Sequence, residues 1–287
     1  MSEEERYFWD LTGYTVIKGL MTPAELAAAN AAVDVLWDQI EPGGEDAATA
    51  GSQALRGSGR LTISDDAFLL QLQAPHCDPF RRMLAHPAVV GRLNLMCGKG
   101  FRFDHGPHFI GGEKGTVGLR MHGAGDPHRP YVAYHHHDGQ MFCGGVTVSW
   151  NLADVNTGDG GFACVPGSHK SRYPMPKGVQ TCDDDMGVVE QPTVAAGDVL
   201  LFMDGAQTHG THPWTSDAQR RAVLFKYASR TSTRTGASTR LAPPEIYWGP
   251  ETVEGMTAEQ RAVMYGPCAS SEKAFLSVSE DGKVSLD

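Results

Sequence analysis

The chain has 287 residues, 41% of them hydrophobic and 20% charged, and a formal net charge of -10. This composition excludes a disordered chain, and the net negative charge makes a phosphate backbone an unfavourable partner. The sequence has no apolar run of the length that a membrane span needs, about 18 residues. Its acidic start, MSEEERYFWD, lacks the apolar segment of a secretory signal. We therefore expect a cytoplasmic protein that binds neither nucleic acid nor a membrane.

The six cysteines form no C-x-x-C pair and have no regular spacing. We expect free thiols in a reducing compartment rather than a disulfide framework. The same spacing argues against a zinc site built from sulfur ligands.

The amino-terminal part of the chain predicts a strand, two helical regions and a loop. Residues 13–18 (GYTVIK) are typical of a strand, and residues 23–40 predict a helix with Thr22 as its N-cap. Residues 41–60 are rich in Gly and Ala without periodicity, which predicts a mobile loop able to cover a pocket. Residues 79–97 predict helix, interrupted at a proline.

Beyond residue 100 the pattern changes to short runs rich in Val, Phe and Thr, separated by Gly, Pro, Asn and Asp. Six runs predict strands: FRFDHG, GTVGLRMHG, GVTVSWNL, GFACVPG, DVLLFM and RAVLFKYA. Strands and helices do not alternate here, which favours an antiparallel barrel or jelly roll. We expect one domain, with helices in residues 1–99 packed on a core of residues 100–230. An extension, residues 231–287, follows and contains a short helix with Thr257 as its cap.

The motif YHHHDGQ contains His136-x-Asp138. Residues two apart in a strand point the same way, so this imidazole and this carboxylate could bind one metal ion. Two histidines and one carboxylate on one face of an octahedral Fe(II) leave three positions for a 2-oxo acid and dioxygen. A two-residue pattern also recurs by chance in polar loops, so the motif needs support from elsewhere in the chain.

A second segment, GDVLLFMDGAQTHGTHPW, supplies that support. It predicts a strand and a turn before His209-Gly210-Thr211, and Arg220 then opens another strand. A planar guanidinium such as that of Arg220 can hold the distal carboxylate of 2-oxoglutarate through two hydrogen bonds. The hydroxyl of Thr211 can donate a hydrogen bond to the same carboxylate. An arginine on a protein surface would instead form a salt bridge.

These motifs, with WNLADVNTGDGGFACVPGSHK and the opening FWDLTGYTVIKGLMTPAELAAA, resemble the phytanoyl-CoA dioxygenase family over roughly residues 6–230. The resemblance implies a mainly β fold with flanking α-helices, a double-stranded β-helix (a jelly roll or cupin-like barrel). It implies an enzyme that uses Fe(II), 2-oxoglutarate and O₂. Carried over by position, His136, Asp138 and His209 match the iron ligands. Arg220 and Thr211 match the anchors of the 2-oxoglutarate carboxylate.

Three alternatives stay open. A pair of His135 and His137 could serve a cupin-type site, although such sites need a glutamate soon afterwards and none occurs before residue 190. His212 could replace His209, and Arg221 could replace Arg220, but the family's spacing favours His209 and Arg220. A jelly-roll binding protein without catalysis is a further possibility, against which the complete set of ligands argues.

The expected reaction is hydroxylation of a small molecule with release of succinate and CO₂. Asp138 carries this expectation, because related halogenases have a small residue at that position, which leaves room for chloride. Several basic side chains near the motif favour a polar or anionic substrate: Arg120, His122, His128, Arg129, His135 and His137. His105, His108, His122 and His128 precede the motif; some of them could line the substrate pocket, but each is more typical of a surface or hydrogen-bonded histidine. The turn VPGSHK, residues 165–170, is more typical of a rigid turn than of a ligand.

Overall fold

Two antiparallel sheets face each other in the computed structural model of the protein. The structure describes residues 1–40, 49–59, 61–123, 129–233, 240–270 and 272–287. The larger sheet has the strand order β1-β9-β7-β11-β3-β2 and the smaller has β4-β10-β8. Two further pairs, β5-β6 and β12-β13, form separate hairpins. This arrangement is the predicted double-stranded β-helix.

The strands are β1 (Tyr14–Ile17), β2 (Thr62–Ile63), β3 (Arg102–Gly112), β4 (Leu119–His122), β5 (Tyr134–His137), β6 (Gln140–Cys143), β7 (Gly145–Asn151), β8 (Gly161–Cys164), β9 (Val199–Phe202), β10 (His209–His212), β11 (Arg220–Ala228), β12 (Leu276–Val278) and β13 (Val284–Leu286). The α-helices among the described residues are α1 (Glu3–Thr12), α2 (Pro23–Leu36), α3 (Asp78–Leu84), α4 (Pro87–Met96), α5 (Lys177–Thr181), α6 (Pro244–Tyr247), α7 (Pro250–Val253) and α8 (Ala258–Ala262). The six predicted runs all contain strands, and the two predicted N-caps, Thr22 and Thr257, both cap helices.

The larger sheet separates the helical layer from the space between the two sheets. Along β7, Val146, Val148 and Trp150 join the core that the helices cover. On the other side of the sheet, Phe202 of β9 lies against Phe162 of β8, with ring centroids 4.6 Å apart. Both faces of the larger sheet are therefore buried, and the space between the sheets can hold a functional site.

The predicted mobile loop is only partly described, since residues 41–48 and residue 60 lie outside the described residues. The rest of it, residues 49–59, is packed against the protein. Leu55 is fully buried, and the hydroxyl of Ser52 donates to the carbonyl oxygen of Thr181 over 2.5 Å. This part of the segment therefore has packing contacts that composition does not reveal, while its mobility and a role as a cover stay predictions.

The carboxyl-terminal extension is attached to the helical layer. The Nζ of Lys273 is buried and donates to the carbonyl oxygen of Gly100 over 2.7 Å. Asn94 of α4 donates to the carbonyl oxygen of Leu276 in β12 over 2.7 Å. All six cysteines are free thiols, as predicted. In the described ranges, no helix is long and apolar enough to cross a bilayer.

Candidate active site

Two histidines lie side by side on neighbouring strands of the smaller sheet. His122 ends β4 and pairs in register with His209, the first residue of β10. Directly opposed residues of an antiparallel pair have their Cβ atoms about 5 Å apart, so their side chains meet. The two imidazole centroids are 4.2 Å apart.

Gly123 allows this close approach. Its φ of +90° is a left-handed conformation that favours glycine, and a Cβ atom there would lie 2.5 Å from the carbonyl oxygen of Gln207. The end of β4 therefore packs directly against the turn that precedes β10. Any larger residue at position 123 would push His122 away from His209.

The hydrogen bonds of both rings determine which nitrogen is free. Nδ1 of His209 donates to the carbonyl oxygen of Gln207 over 2.9 Å, and Nδ1 of His122 donates to that of Arg120 over 3.0 Å. A carbonyl oxygen can only accept, so Nδ1 carries the proton in each ring and Nε2 keeps a lone pair. Burial lowers the pKa of His209 to about 3 and also lowers that of His122, so both rings are neutral. Neutral imidazoles oriented in this way are the usual metal ligands of proteins.

A carboxylate and an ammonium group lie next to this pair. Oδ1 of Asp204 is 3.6 Å from Nε2 of His209 and 3.5 Å from Nζ of Lys226. Burial alone would raise the pKa of Asp204, but the charge of Lys226 and the neighbouring histidines together hold that pKa below its usual range. Asp204 is therefore an enclosed carboxylate anion.

These groups line a cavity of about 840 Å³ between the sheets. Its wall combines polar and apolar surface in about equal parts and includes more cationic than anionic side chains. The charged side chains of the wall are Arg102, Asp104, Arg120, Arg129, Asp204 and Lys226. Arg120 and Arg129 are exposed at the rim, and neither has an ion-pair partner among the residues that the structure describes. A cavity of this size and polarity fits a polar small molecule.

Arg220 and Arg221 face opposite sides of β11, as the strand alternation predicts. Arg221 points to the helical layer, where its guanidinium lies 2.7 Å from Oδ1 of Asp34 and donates to Asn30 over 3.0 Å. Arg220 points between the sheets and is buried beside Gly161 and Trp214. Burial lowers the pKa of Arg220 to about 10, so the guanidinium stays charged.

No described residue forms a hydrogen bond or an ion pair with the guanidinium of Arg220. A buried cation normally has an anionic partner, so this position fits the distal carboxylate of 2-oxoglutarate. Thr211 is two residues along β10 from His209, on the same face of the strand. Its Oγ1 accepts a hydrogen bond from the amide of Leu119 over 2.9 Å, which leaves the hydroxyl hydrogen free to donate.

His136 and Asp138 are not brought together with His209. They belong to the β5-β6 hairpin, none of whose residues lines the cavity. His136 is exposed, and the side chain of Asp138 is 86% exposed beside His137 at 89%. The hairpin is attached through Tyr134 and Cys143, which pack in the core on the helix side of the larger sheet. Of the predicted ligands, the structure places only His209 in the cavity, and the ligand set stays a prediction.

The other predicted residues also divide into some that line the cavity and some that lie elsewhere in the molecule. His135 and His137 are exposed on the hairpin, so the cupin-type pair does not face the cavity either. His105 lines the cavity, whereas His128 lies outside the described residues. The turn at residues 165–170 is structural, since Ser168 donates to the carbonyl oxygen of Val165 over 2.6 Å and accepts from the amide of Thr208 over 2.8 Å.

Sequence reasoning did not single out Asp204 and Lys226, which line the cavity, and treated His122 only as one of several basic side chains near the motif. One pattern could have found His122: it lies at the end of a predicted strand, directly before a glycine. Asp204 follows a predicted strand, but nothing in its neighbours marks it as a ligand. Lys226 could have been placed by alternation, because it lies six residues after Arg220 on the same face of β11.

The two neutral imidazoles and the buried arginine suit Fe(II) and 2-oxoglutarate. In the described part of the chain, including the cavity, no three His, Cys, Asp or Glu side chains form a group arranged to hold a metal ion. The fold and the chemistry of the cavity together point to one class of protein, the 2-oxoglutarate-dependent non-haem iron oxygenases.

A family model, phytanoyl-CoA dioxygenase (PhyH), matches residues 9–222, and the chain belongs to this family. It is therefore a 2-oxoglutarate-dependent dioxygenase whose cofactors are Fe(II), 2-oxoglutarate and O₂. No curated protein matches the chain with significance.

Solved structures show the same fold. HygX from Streptomyces hygroscopicus, crystallised with nickel and 2-oxoglutarate, is 22% identical with a TM-score of 0.64, over 80% of this chain and 87% of that one. The α-ketoglutarate-dependent carbocyclase SnoK from nogalamycin biosynthesis is 20% identical with a TM-score of 0.55, over 81% and 86%. EctD from S. alaskensis, with 2-oxoglutarate and 5-hydroxyectoine, is 17% identical with a TM-score of 0.56, over 80% and 76%.

Proposed function

We propose that this dioxygenase hydroxylates a C–H bond of a polar small molecule in the cavity between its two sheets, with His122 and His209 as the imidazole ligands of the iron. The observation that carries the proposal is the pair of enclosed neutral rings, whose Nε2 atoms are free of hydrogen bonds to described residues and whose centroids are 4.2 Å apart. His136 is the alternative first ligand, but its exposed position on the hairpin does not support that role.

Iron, when bound with 2-oxoglutarate, supplies the activation of O₂ that is coupled to release of succinate and CO₂. The protein's own residues perform the remaining tasks. Arg220 of the larger sheet holds the far carboxylate of the cosubstrate, and Thr211 donates to it from β10 of the smaller sheet. The burial of Arg220 strengthens this charge pairing because little water competes there.

The charged groups in the wall of the cavity support a polar substrate. Arg120 and Arg129 stand at its rim with no ion-pair partner in the described part of the chain, so an anionic group on the substrate would complete their pairing. This local excess of cations contrasts with the overall charge of -10. We therefore favour substrates that carry a carboxylate or a phosphate.

Hydroxylation, rather than halogenation, requires a carboxylate beside the iron to occupy the position of a halide. Asp138 does not line the cavity, so the argument from Asp138 no longer supports this choice. Asp204 is a carboxylate that does line it. Solved proteins of this fold include a carbocyclase and an epimerase, so the product itself has to be identified.

The test is a turnover screen that measures succinate across pairs of metabolites with and without an anionic group. We expect the anionic member of a pair to be turned over, with a gain of one oxygen atom in the product by mass spectrometry. The His209→Ala variant should form no succinate, whereas His212→Ala, on the opposite face of the same strand, should keep activity. A chlorinated product in high chloride, or turnover that does not need 2-oxoglutarate, would contradict the proposal.

A further inference from the structure

His105 is a half-buried imidazole in the wall of the cavity between the sheets. Its Nδ1 lies 2.7 Å from Oδ2 of Asp104, which lines the same cavity. Because an ionised carboxylate can only accept hydrogen bonds, Nδ1 carries the proton in this contact. Nε2 forms no hydrogen bond with any residue in the described part of the chain. In the neutral ring this nitrogen is an acceptor without a donor, in a side chain that a substrate can reach.

Asp104 is an ionised carboxylate whose two oxygens are both used. Oδ2 accepts from His105, and Oδ1 accepts from Nη2 of Arg102. The guanidinium of Arg102 is buried and also donates to the carbonyl oxygen of Ser232 over 2.8 Å. Burial alone would raise the pKa of Asp104, but the hydrogen bond from His105 and the charge of Arg102 hold that pKa below its usual range. The carboxylate therefore fixes both the tautomer and the orientation of the His105 ring.

The backbone of β3 is irregular at these two residues. Successive side chains of a regular strand alternate between its faces, and Phe103 and Phe109 pack in the core on the helix side. His105 would face that core by alternation. The pairing of β3 with β11 shifts register on both sides of Lys226, the partner of His105, and such shifts turn side chains to another direction. Asp104 and His105, although adjacent, both line the cavity as a result.

His108, on the same strand, has partners for both of its ring nitrogens. Its Nδ1 lies 3.0 Å from the carbonyl oxygen of Ser64, and its Nε2 lies 3.3 Å from Oδ1 of Asp66. It is not among the described residues that line the cavity. The two rings have centroids 5.9 Å apart, so the open nitrogen of His105 is not a general property of this part of β3.

The position of His105 is close to the proposed iron ligand His209. Lys226 lies directly opposite His105, where Cβ atoms of an antiparallel pair are about 5 Å apart. Oδ1 of Asp204 is 3.5 Å from Nζ of Lys226 and 3.6 Å from Nε2 of His209. A substrate bound at His105 would therefore lie beside the centre of the cavity.

The charges around His105 decide which donor suits its open nitrogen. Lys226 and three arginines are in the same wall. This excess of positive charge would repel an ammonium group. An ionised carboxylate would be attracted to the cations themselves and has no hydrogen to donate to a neutral ring. A hydroxyl group is an uncharged donor and fits the position.

We infer that His105 determines substrate specificity by accepting a hydrogen bond from a substrate hydroxyl group at Nε2, and that Asp104 is the positioning residue of its ring. This inference rests on the proposed function of the same cavity. It narrows the substrate class to anionic molecules that also carry a hydroxyl group, as sugar acids and sugar phosphates do. The arginines at the rim would bind the anionic group. A deoxy analogue would be rejected because it leaves Nε2 of His105 without a donor.

The experiment measures succinate formation by the full chain, loaded with Fe(II) and 2-oxoglutarate, above the level without substrate. The probes are a panel of sugar acids and sugar phosphates, each with its monodeoxy analogues, and kcat and KM are determined for every member. The variants are His105→Ala, His105→Gln and Asp104→Asn, with circular dichroism to check folding. His108→Ala is the matched control, because His108 is a histidine of the same strand outside the cavity wall.

We expect the wild type to show a kcat/KM about 10- to 100-fold lower for one monodeoxy analogue, since an acceptor is left unpaired. His105→Ala should lose this preference through a higher KM at unchanged kcat, because the hydrogen bond is equally strong before and during the reaction. His105→Gln should recover part of the preference, since its amide oxygen can accept. Asp104→Asn should raise KM less than His105→Ala does, and His108→Ala should keep the wild-type preference.

Other outcomes would overturn the inference. They are equal conversion of a substrate and all its deoxy analogues by the wild type, an unchanged preference in His105→Ala, and a preference for an amine in place of the hydroxyl group. If His105→Ala does not fold, a full wild-type preference in both His105→Gln and Asp104→Asn would overturn it. A chain that forms no additional succinate with any anionic molecule would reject the proposed function as well, whereas equal conversion of anionic molecules without hydroxyl groups rejects only this inference.

Discussion

The cavity and the β5-β6 hairpin contain the same residue types and differ in almost every other respect. In the hairpin, His136 and Asp138 are exposed to water, and the side chain of Asp138 has only exposed His137 beside it. In the cavity, His122 and His209 each donate Nδ1–H to a carbonyl oxygen, and His209 is buried while His122 is half-buried. Histidine and aspartate become a candidate metal site only where burial and hydrogen bonds fix the rings. A sequence motif shows which residue types are present but not whether they are buried or hydrogen-bonded.

The largest difference in iron binding between the two regions should appear when the histidines of the cavity are replaced. We expect His209→Ala or His122→Ala to lower Fe(II) affinity by at least about 100-fold, since each removes a proposed ligand. Iron content after anaerobic loading and desalting measures this. His212→Ala is the matched control, because it lies on the same strand with its side chain on the other face. Full iron occupancy in both cavity variants would assign the site elsewhere.

The next effect concerns the two arginines at the start of β11. Arg220→Ala should weaken 2-oxoglutarate binding by about 2–5 kcal/mol, or roughly 30- to several thousand-fold, because an enclosed charge partner is lost. Arg221→Ala should leave that affinity unchanged and lower the midpoint of thermal unfolding instead, since it breaks the contacts with Asp34 and Asn30. Calorimetric titration with 2-oxoglutarate distinguishes the two. A reversed ranking would mean that Arg221 holds the cosubstrate.

A smaller effect is expected at Thr211. Thr211→Val removes both the acceptor for the amide of Leu119 and the proposed donor to 2-oxoglutarate. A single neutral hydrogen bond contributes about 1 kcal/mol, so the dissociation constant for 2-oxoglutarate should rise about fivefold. Thr211→Ser keeps the hydroxyl and should bind as the wild type does. Equal affinities of all three proteins for 2-oxoglutarate would show that the hydroxyl of Thr211 only accepts the hydrogen bond from the amide of Leu119.

The smallest effect should come from the hairpin. The double variant His136→Ala, Asp138→Asn should bind one iron per chain as the wild type does, and its free energy of unfolding should change by no more than about 0.5 kcal/mol. Exposed side chains without buried partners lose little when they are replaced. Loss of iron in this variant, with normal folding, would restore His136 and Asp138 as ligands. It would also reject the conclusion that the cavity rather than the hairpin holds the metal.

The fold could be predicted from the sequence because its information is local. The strand runs and the capping threonines each depend on a few neighbouring residues, and the structure confirms them. The orientations of Arg220 and Arg221 also follow from alternation alone.

The cavity could not be predicted in the same way. The proximity of His122 to His209 depends on a register between strands that are 87 residues apart, counted from 122 to 209, and on a close approach at Gly123. The enclosure of Asp204 depends on the packing of a turn against Val132. Neither feature leaves a pattern in the residues beside these positions.

The short strand β4 has a consequence for the protein before iron is bound. It has four residues and lies at the edge of its sheet, hydrogen-bonded to β10 alone among the described strands. Edge strands open readily and offer free amides for pairing with another chain. A metal ion shared by His122 and His209 would join β4 to β10 as a crosslink does. Iron would then slow hydrogen exchange at the amides of β4 and protect this edge from aggregation. The supply of iron would govern how long the protein stays folded as well as whether it converts its substrate.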